Sequence, residues 1–228
     1  MRPRRRVSIA AIEEGAGGTI QRMARGLTYA NLAEFPDDGL RRELIHGDLI
    51  VSPSPLVRHQ RLVGYLYLRL AGFVETNGGG EVFIAPMDVL FADDSVVEPD
   101  LFFVPDASSQ IVTRANIQGV PTLVIEVLSN PRVDRVRKRD LYAEYGVPEY
   151  WIVDPEADRV EIYRLDGERY GKPTILEAGD TLRKAATHVY TSTAFPMLTG
   201  TLVTVAGFIP IGLNNSNAGE FTFTLFIV

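Results

Sequence analysis

Apolar positions along the chain follow two periods. Leu62, Leu66, Leu70 and Phe73 recur at helical spacing. They predict a helix to about Glu75, opened by Ser54 as cap with Pro55 at the first helical position and stopped by Gly78-Gly79-Gly80. A shorter helix is expected from Thr28 through Phe35, ended by Pro36 and Gly39. Between them, two apolar runs from Glu43 to Ser52 flank His46-Gly47-Asp48 and read as a β-hairpin with glycine in its turn. Short β-rich runs follow at Glu81 to Ile84, Met87 to Phe91 and Leu101 to Val104. The stretch Thr122 to Leu128 is apolar without alternation, apart from Glu126 in its middle, and predicts a central strand buried on both faces. A helix is expected from about Pro131 to Tyr145, closed by Gly146, and then strands at Tyr150 to Val153 and Val160 to Tyr163. This order predicts an α/β (α+β) class: a mixed β-sheet flanked by helices.

The ends of the chain differ from this middle. Residues 1–26 are basic and rich in Gly and Ala, and read as a loose extension; one domain is expected over 27–198. Residues 199–228 form an apolar tail in which Phe221, Phe223 and Leu225 alternate with polar or small residues, the pattern of a half-buried strand. Such a strand needs cover, from its own sheet or across a homodimer interface. Composition narrows the chemistry. There is no cysteine, so disulfides and thiolate metal sites are excluded, and with three histidines a zinc site built on histidine is not expected. Any metal is then held mainly by oxygen. The net charge of −6 gives no support to non-specific binding of phosphates over the whole surface. No apolar run reaches a membrane span and no secretory signal is visible, so a cytoplasmic protein with no membrane partner is expected. P-loop, dinucleotide and nucleophile-elbow motifs are absent.

Candidate chemistry begins with Glu126, a carboxylate where the pattern asks for an apolar residue. A buried charge needs a partner, which is either an arginine in a structural ion pair or a metal. Asp100 stands at the mouth of the strand Leu101 to Val104 after Pro99; alone, it is as well read as a strand-entry residue. Together the two acids can converge on a divalent cation of the Mg²⁺ type, which takes a few carboxylate oxygens and keeps waters. Asp134 and Lys138 share one face of the following helix, continued by Tyr142 and Tyr145, so an acid and a base point toward Glu126; the plain alternative is a surface ion pair. Glu43 opens the hairpin, and His59 lies on the inward stripe of the long helix, where histidine is more often a core residue than a ligand.

These pieces, in this order, resemble the bacterial Uma-type family of restriction endonucleases in the PD-(D/E)XK superfamily. The matching residues include Pro36-Asp-Asp-Gly39, Glu43 to Pro55, His59, Pro99-Asp100, Ile125 to Ser129, Asp134, Lys138, Leu141-Tyr142 and Gly146 to Pro155. The resemblance implies a mixed sheet flanked by helices, with Asp100 and Glu126 as ligands of Mg²⁺ or Mn²⁺ and Glu43 supporting the metal. The superfamily's lysine two residues after the second acid is replaced here by Leu128; the resemblance implies that Lys138 substitutes for it, with Asp134 and His59 orienting the ligands. The expected function is metal-dependent endonucleolytic hydrolysis of nucleic acid, DNA first. The alternative is a catalytically degenerate nuclease fold that serves as a binding or assembly module. In the enzymatic reading, Lys138→Ala is expected to abolish cleavage and leave the fold intact.

Overall fold

Residues 26–177 are described by the computed structural model. A short helix α1 (Tyr29–Leu32) is the first element of the described part. The amide oxygen of Asn31 accepts from both the N–H and the hydroxyl of Thr28, which closes its first turn. The hairpin of β1 (Arg41–Ile45) and β2 (Asp48–Ser52) has a two-residue turn in which His46 and Gly47 both have positive φ, 51° and 73°. That is the turn whose twist matches antiparallel strands.

The long helix α2 (Val57–Asn77) begins three residues after the expected cap, Ser54. Pro55 disfavours helical backbone at Ser54, and Leu56 is still extended with ψ 158°. Its buried stripe is Leu62, Val63, Tyr65, Leu66 and Leu70, without Phe73; Gly78, at φ 72°, ends it. The strands β3 (Gly80–Ile84), β4 (Val89–Ala92), β5 (Ser95–Val97) and β6 (Leu101–Pro105) follow. A 3₁₀ turn (Asp106–Ile111) and the two-residue β7 (Ile117–Gln118) lead to β8 (Leu123–Val127). The predicted helix after β8 is present, but its first part, Val133–Lys138, is π-helical and runs into α3 (Arg139–Glu144). The chain continues through β9 (Glu149–Asp154), β10 (Arg159–Asp166), β11 (Arg169–Tyr170) and β12 (Thr174–Glu177).

The mixed α+β class holds, but the strands divide between two sheets. The larger runs β11-β10-β9-β8-β6-β3, with β12 also on β10; the smaller runs β2-β1-β5-β4-β7. β8 pairs parallel to β9 and antiparallel to β6, and all five of its residues are buried, as its apolar run requires. Alternation sorts its side chains. Leu123, Ile125 and Val127 join the core under α2; Val124 faces the other core, with Leu141, Tyr142 and Tyr150. Glu126 shares the parity of Val124 and so faces α3 and the smaller sheet. No helix among the described residues is long and apolar enough to cross a membrane. The expected extension at 1–26, apart from Gly26, and the tail strand at Phe221–Phe226 lie outside the described residues.

Candidate active site

The carboxyl end of β8 is where the two sheets, α2 and the π-helical turn meet. In the β6–β8 ladder, Leu101 stands opposite Ile125. One residue further, Asp100 comes level with Glu126. β1 supplies Arg41 and Glu43, two apart and therefore on one face of the strand. α2 brings His59, the π-helical turn brings Lys138, and α3 brings Tyr142.

Each carboxylate has one oxygen fixed by the protein. Asp100 Oδ2 accepts from the N–H of Val127 at 2.9 Å and lies 3.0 Å from His59 Nε2. Glu126 Oε1 accepts from Lys138 Nζ and from the Tyr142 hydroxyl, both at 2.8 Å. The remaining oxygens meet the guanidinium of Arg41: Asp100 Oδ1 is 3.0 Å from its NH1 and Glu126 Oε2 is 3.8 Å from its NH2. Glu43 Oε1 is held by the N–H of Glu98 at 2.8 Å, by Lys138 at 2.8 Å and by Arg41 at 3.4 Å.

Five of the six residues nominated from sequence therefore converge: Glu43, His59, Asp100, Glu126 and Lys138. Asp134 is buried beside them, but its carboxylate is directed at its own turn. Its Oδ2 accepts from the N–H groups of Ser129 and Asn130 at 3.2 and 3.1 Å, which ties the end of β8 to the π-helical turn. Asp134 and Lys138 are both buried, so they do not form the solvated surface pair that their spacing alone allowed. Three members went unnominated: Arg41, Glu98 and the hydroxyl of Tyr142. The signal for Arg41 was available, because it shares a strand face with Glu43.

Charge sets the character of the cluster. Burial raises Asp100, but the bond from His59 and the charge of Arg41 outweigh it and hold the carboxyl at about 2. Burial likewise raises Glu43, and Arg41 with Lys138 brings it below the ordinary range. Burial works against the charge of Lys138, and Glu126 and Glu43 overcome it, so the ammonium is held charged. Glu126 is the acid that burial pushes up, to about 7, with the negative charge of Asp100 adding to the effect. Glu98 is also raised to about 7, chiefly by burial. Five buried or partly buried acids, Glu43, Glu98, Asp100, Glu126 and Asp134, thus stand near two permanent cations, Arg41 and Lys138. They also stand near His59, which burial lowers and which the bond to Asp100, with the charges of Asp100 and Glu126, raises on balance. The full complement of carboxylates lacks positive charge.

No group of three or more His, Asp or Glu side chains among the described residues forms a ready coordination sphere. Two carboxylate oxygens, Asp100 Oδ1 and Glu126 Oε2, converge on one cationic group, and the donors are oxygens. The chemistry of that set fits a hard divalent ion that keeps several waters; in this structure both oxygens face the guanidinium of Arg41. A groove of about 940 Å³ lies elsewhere, between α3 and β10–β11, lined by Arg139, Glu144, Arg169 and Tyr170 among others. Its charges are mixed and none of the converging acids lines it.

Residues 28–193 match the Uma2 family, described as "Putative restriction endonuclease". Among solved structures, a protein of Anabaena variabilis described as a "putative nuclease belonging to DUF820" superposes with TM-score 0.62. It shares 16% identity, over 81% of this chain and 99% of that one, so the likeness carries the fold. No curated protein matches the chain.

Proposed function

Because the chain belongs to the Uma2 family, we propose that it is a nuclease dependent on Mg²⁺ or Mn²⁺, held by Asp100 and Glu126, that hydrolyses phosphodiester bonds in DNA. The observation that carries this reading is the pair of oxygens, Asp100 Oδ1 and Glu126 Oε2, left facing one cation position while their sister oxygens are tied down. A divalent ion bound there supplies Lewis acidity toward the phosphate and lowers the pKa of an attacking water.

The chain's own groups supply orientation. His59 and the N–H of Val127 fix Asp100, and Tyr142 and Lys138 fix Glu126, so neither ligand needs to reorganise. Lys138 serves in place of the strand lysine. Its ammonium sits between Glu43 and Glu126, balances their charge and holds Glu126 in place as a ligand. Glu43 holds that ammonium and would support the metal, directly or through water. Asp134 keeps the turn that aims Lys138. The net reaction adds water across one P–O bond and gives a phosphate monoester and a sugar hydroxyl.

A second reading has one observation in its favour: the buried charges of the cluster already pair with one another. A degenerate fold serving as a binding or assembly module would look the same. The two are separated by incubating purified protein with supercoiled plasmid and with single-stranded DNA and RNA, in Mg²⁺, Mn²⁺ or Ca²⁺, beside Asp100→Ala. Metal-dependent cleavage that falls at least about a hundred-fold in Asp100→Ala supports the enzyme. A wild-type protein that neither binds the ion nor cleaves is the module.

A further inference from the structure

Arg41 stands in the space that the metal reading needs. Its NH1 is 3.0 Å from Asp100 Oδ1, and its NH2 is 3.4 Å from Glu43 Oε1 and 3.8 Å from Glu126 Oε2. The Asp100 and Glu126 oxygens are the same two that face the cation position. A guanidinium and a divalent ion repel each other and cannot both hold them.

The fit of Arg41 is loose for a buried arginine. Strong guanidinium–carboxylate pairs are bidentate, with two short bonds to one acid. Here three acids each take one contact, only one of them short, and Nε is buried with no partner. The side chain also keeps access to solvent: it is 24% exposed, against 3% for Lys138. One cation of the cluster is sealed in, and the other is partly exposed.

Resting on the function proposed above, we infer that Arg41 is the resident counter-ion of the metal site. It occupies the place of the divalent ion between Asp100 and Glu126, yields it when the ion enters, and then offers its guanidinium to the scissile phosphate. The backbone of Arg41 stays fixed by pairing with Ser52 across the hairpin, so the displaced side chain remains beside the site. Its planar fork of N–H donors suits a phosphate, and the unpartnered Nε becomes one of the two parallel donors. Metal entry and phosphate capture are thereby coupled: the guanidinium is free for substrate only when the carboxylates have another cation.

The test measures Mn²⁺ binding by calorimetry, without nucleic acid, for the wild type, Arg41→Gln and Arg41→Lys. Plasmid cleavage is measured alongside at saturating metal. Removing a competing charge tightens binding, so Arg41→Gln is expected to bind Mn²⁺ about ten-fold more tightly and to cleave about ten-fold more slowly. Arg41→Lys keeps the charge and is expected to bind the ion within about three-fold of wild type. Simple damage to the site would weaken metal binding, so a gain in affinity separates competition from disruption. Equal or weaker binding by Arg41→Gln, with a wild type that binds, overturns the counter-ion role and leaves the nuclease reading standing. Cleavage at the wild-type rate overturns the phosphate role. Absence of Mn²⁺ binding in wild type and variant alike overturns the metal reading itself, and this inference with it. Should Arg41→Gln fail to fold, the ¹⁵N-labelled wild type decides: the Arg41 Nε–H resonance is expected to move on addition of Mg²⁺, and a resonance unmoved while the ion binds overturns the inference.

Discussion

Lys138 Nζ lies 2.8 Å from Glu126 Oε1, with both side chains buried and twelve residues between them in the chain. A strand lysine two residues after Glu126 would share its strand face; Leu128 cannot serve. The ammonium arrives instead from a helical turn packed over that face. The turn is π-helical, a rare geometry found often at functional sites.

That relationship revises what Lys138→Ala would do. The lysine is sandwiched between Glu43 and Glu126, so its removal takes the shortest cationic contact from two buried carboxylates, leaving them Tyr142, the N–H of Glu98 and the longer contacts of Arg41. A loss of about 3–5 kcal/mol is expected, and the fold does not stay untouched. Loss of cleavage in this variant therefore proves little. Glu43→Gln with Lys138→Met removes one charge of each sign and is expected to recover most of that stability while remaining inactive. Lys138→Arg keeps the charge but is too large for the site and recovers only part of the activity. Urea denaturation beside plasmid nicking separates these outcomes; full activity in the double variant would rule out a role for the ammonium.

A charge within an apolar run made Glu126 legible, because such a residue has no packing purpose; Asp100 showed as an acid at the mouth of a strand, and Lys138 through the helix face it shares with Asp134 and through the family resemblance. Arg41 was missed for the opposite reason: a charged residue at the start of a hairpin strand usually faces water. The smaller sheet was also hidden. β5 has three residues and β7 two, too short for a two-residue period to show. The start of α2 was misplaced because Ser54-Pro55 carries a cap signature, while the chain around it stays extended through Leu56. The π-helical turn leaves no mark in the spacing of Asp134 and Lys138, which share a face in either kind of helix.

Tyr142 offers a cleaner probe than the charged residues. Its hydroxyl donates to Glu126 Oε1 at 2.8 Å, while its ring packs against Phe91 and Tyr150. Tyr142→Phe keeps the ring and deletes the donor to a buried carboxylate. A loss of about 1–3 kcal/mol is expected in urea denaturation. Cleavage is expected to fall with it, because Glu126 is then oriented by Lys138 alone. A variant as stable and as active as wild type would show that the hydroxyl orients nothing.

The hairpin that carries Arg41 and Glu43 depends on Gly47. Its φ is 73°, where a side chain is strained, and a methyl group there would lie 3.0 Å from the backbone of Gly26. The N–H of Gly47 donates to the carbonyl of Asp94, and its own carbonyl accepts from Leu27, so the turn cannot move away freely. Gly47→Ala is expected to cost at least about 1–2 kcal/mol. Ala at the exposed Gly39, which also has positive φ but open space around it, should cost less. Equal melting temperatures for the two variants would remove the role of close packing at Gly47.

Away from the site, Arg135 binds two acids at once: Glu161 Oε1 at 2.6 Å and Asp154 Oδ2 at 2.7 Å. Arg159 and the Tyr163 hydroxyl add to Glu161, and the N–H groups of Glu156 and Ala157 to Asp154. Burial pushes both carboxyls up, but the bonds from Arg135 and these neighbours outweigh it and hold both below their ordinary values of 4.5 and 3.8. A carboxyl lowered by folding contributes stability that is present above its unfolded value and lost as pH falls through its folded value. The stabilisation is therefore expected to be constant from neutral pH down to about 5 and to fall away below about 4. Arg135→Met should lose about 1–2 kcal/mol at pH 7, because Arg159, Tyr163 and the turn N–H groups remain as partners. Its stability should also fall less steeply with acid, since both carboxyls move back toward their ordinary values. Urea midpoints collected from pH 7 to 3 for the two proteins test this. Parallel curves across that range would mean that the acid sensitivity resides in other carboxylates, and that Arg135 holds β9 and β10 without setting the response to pH.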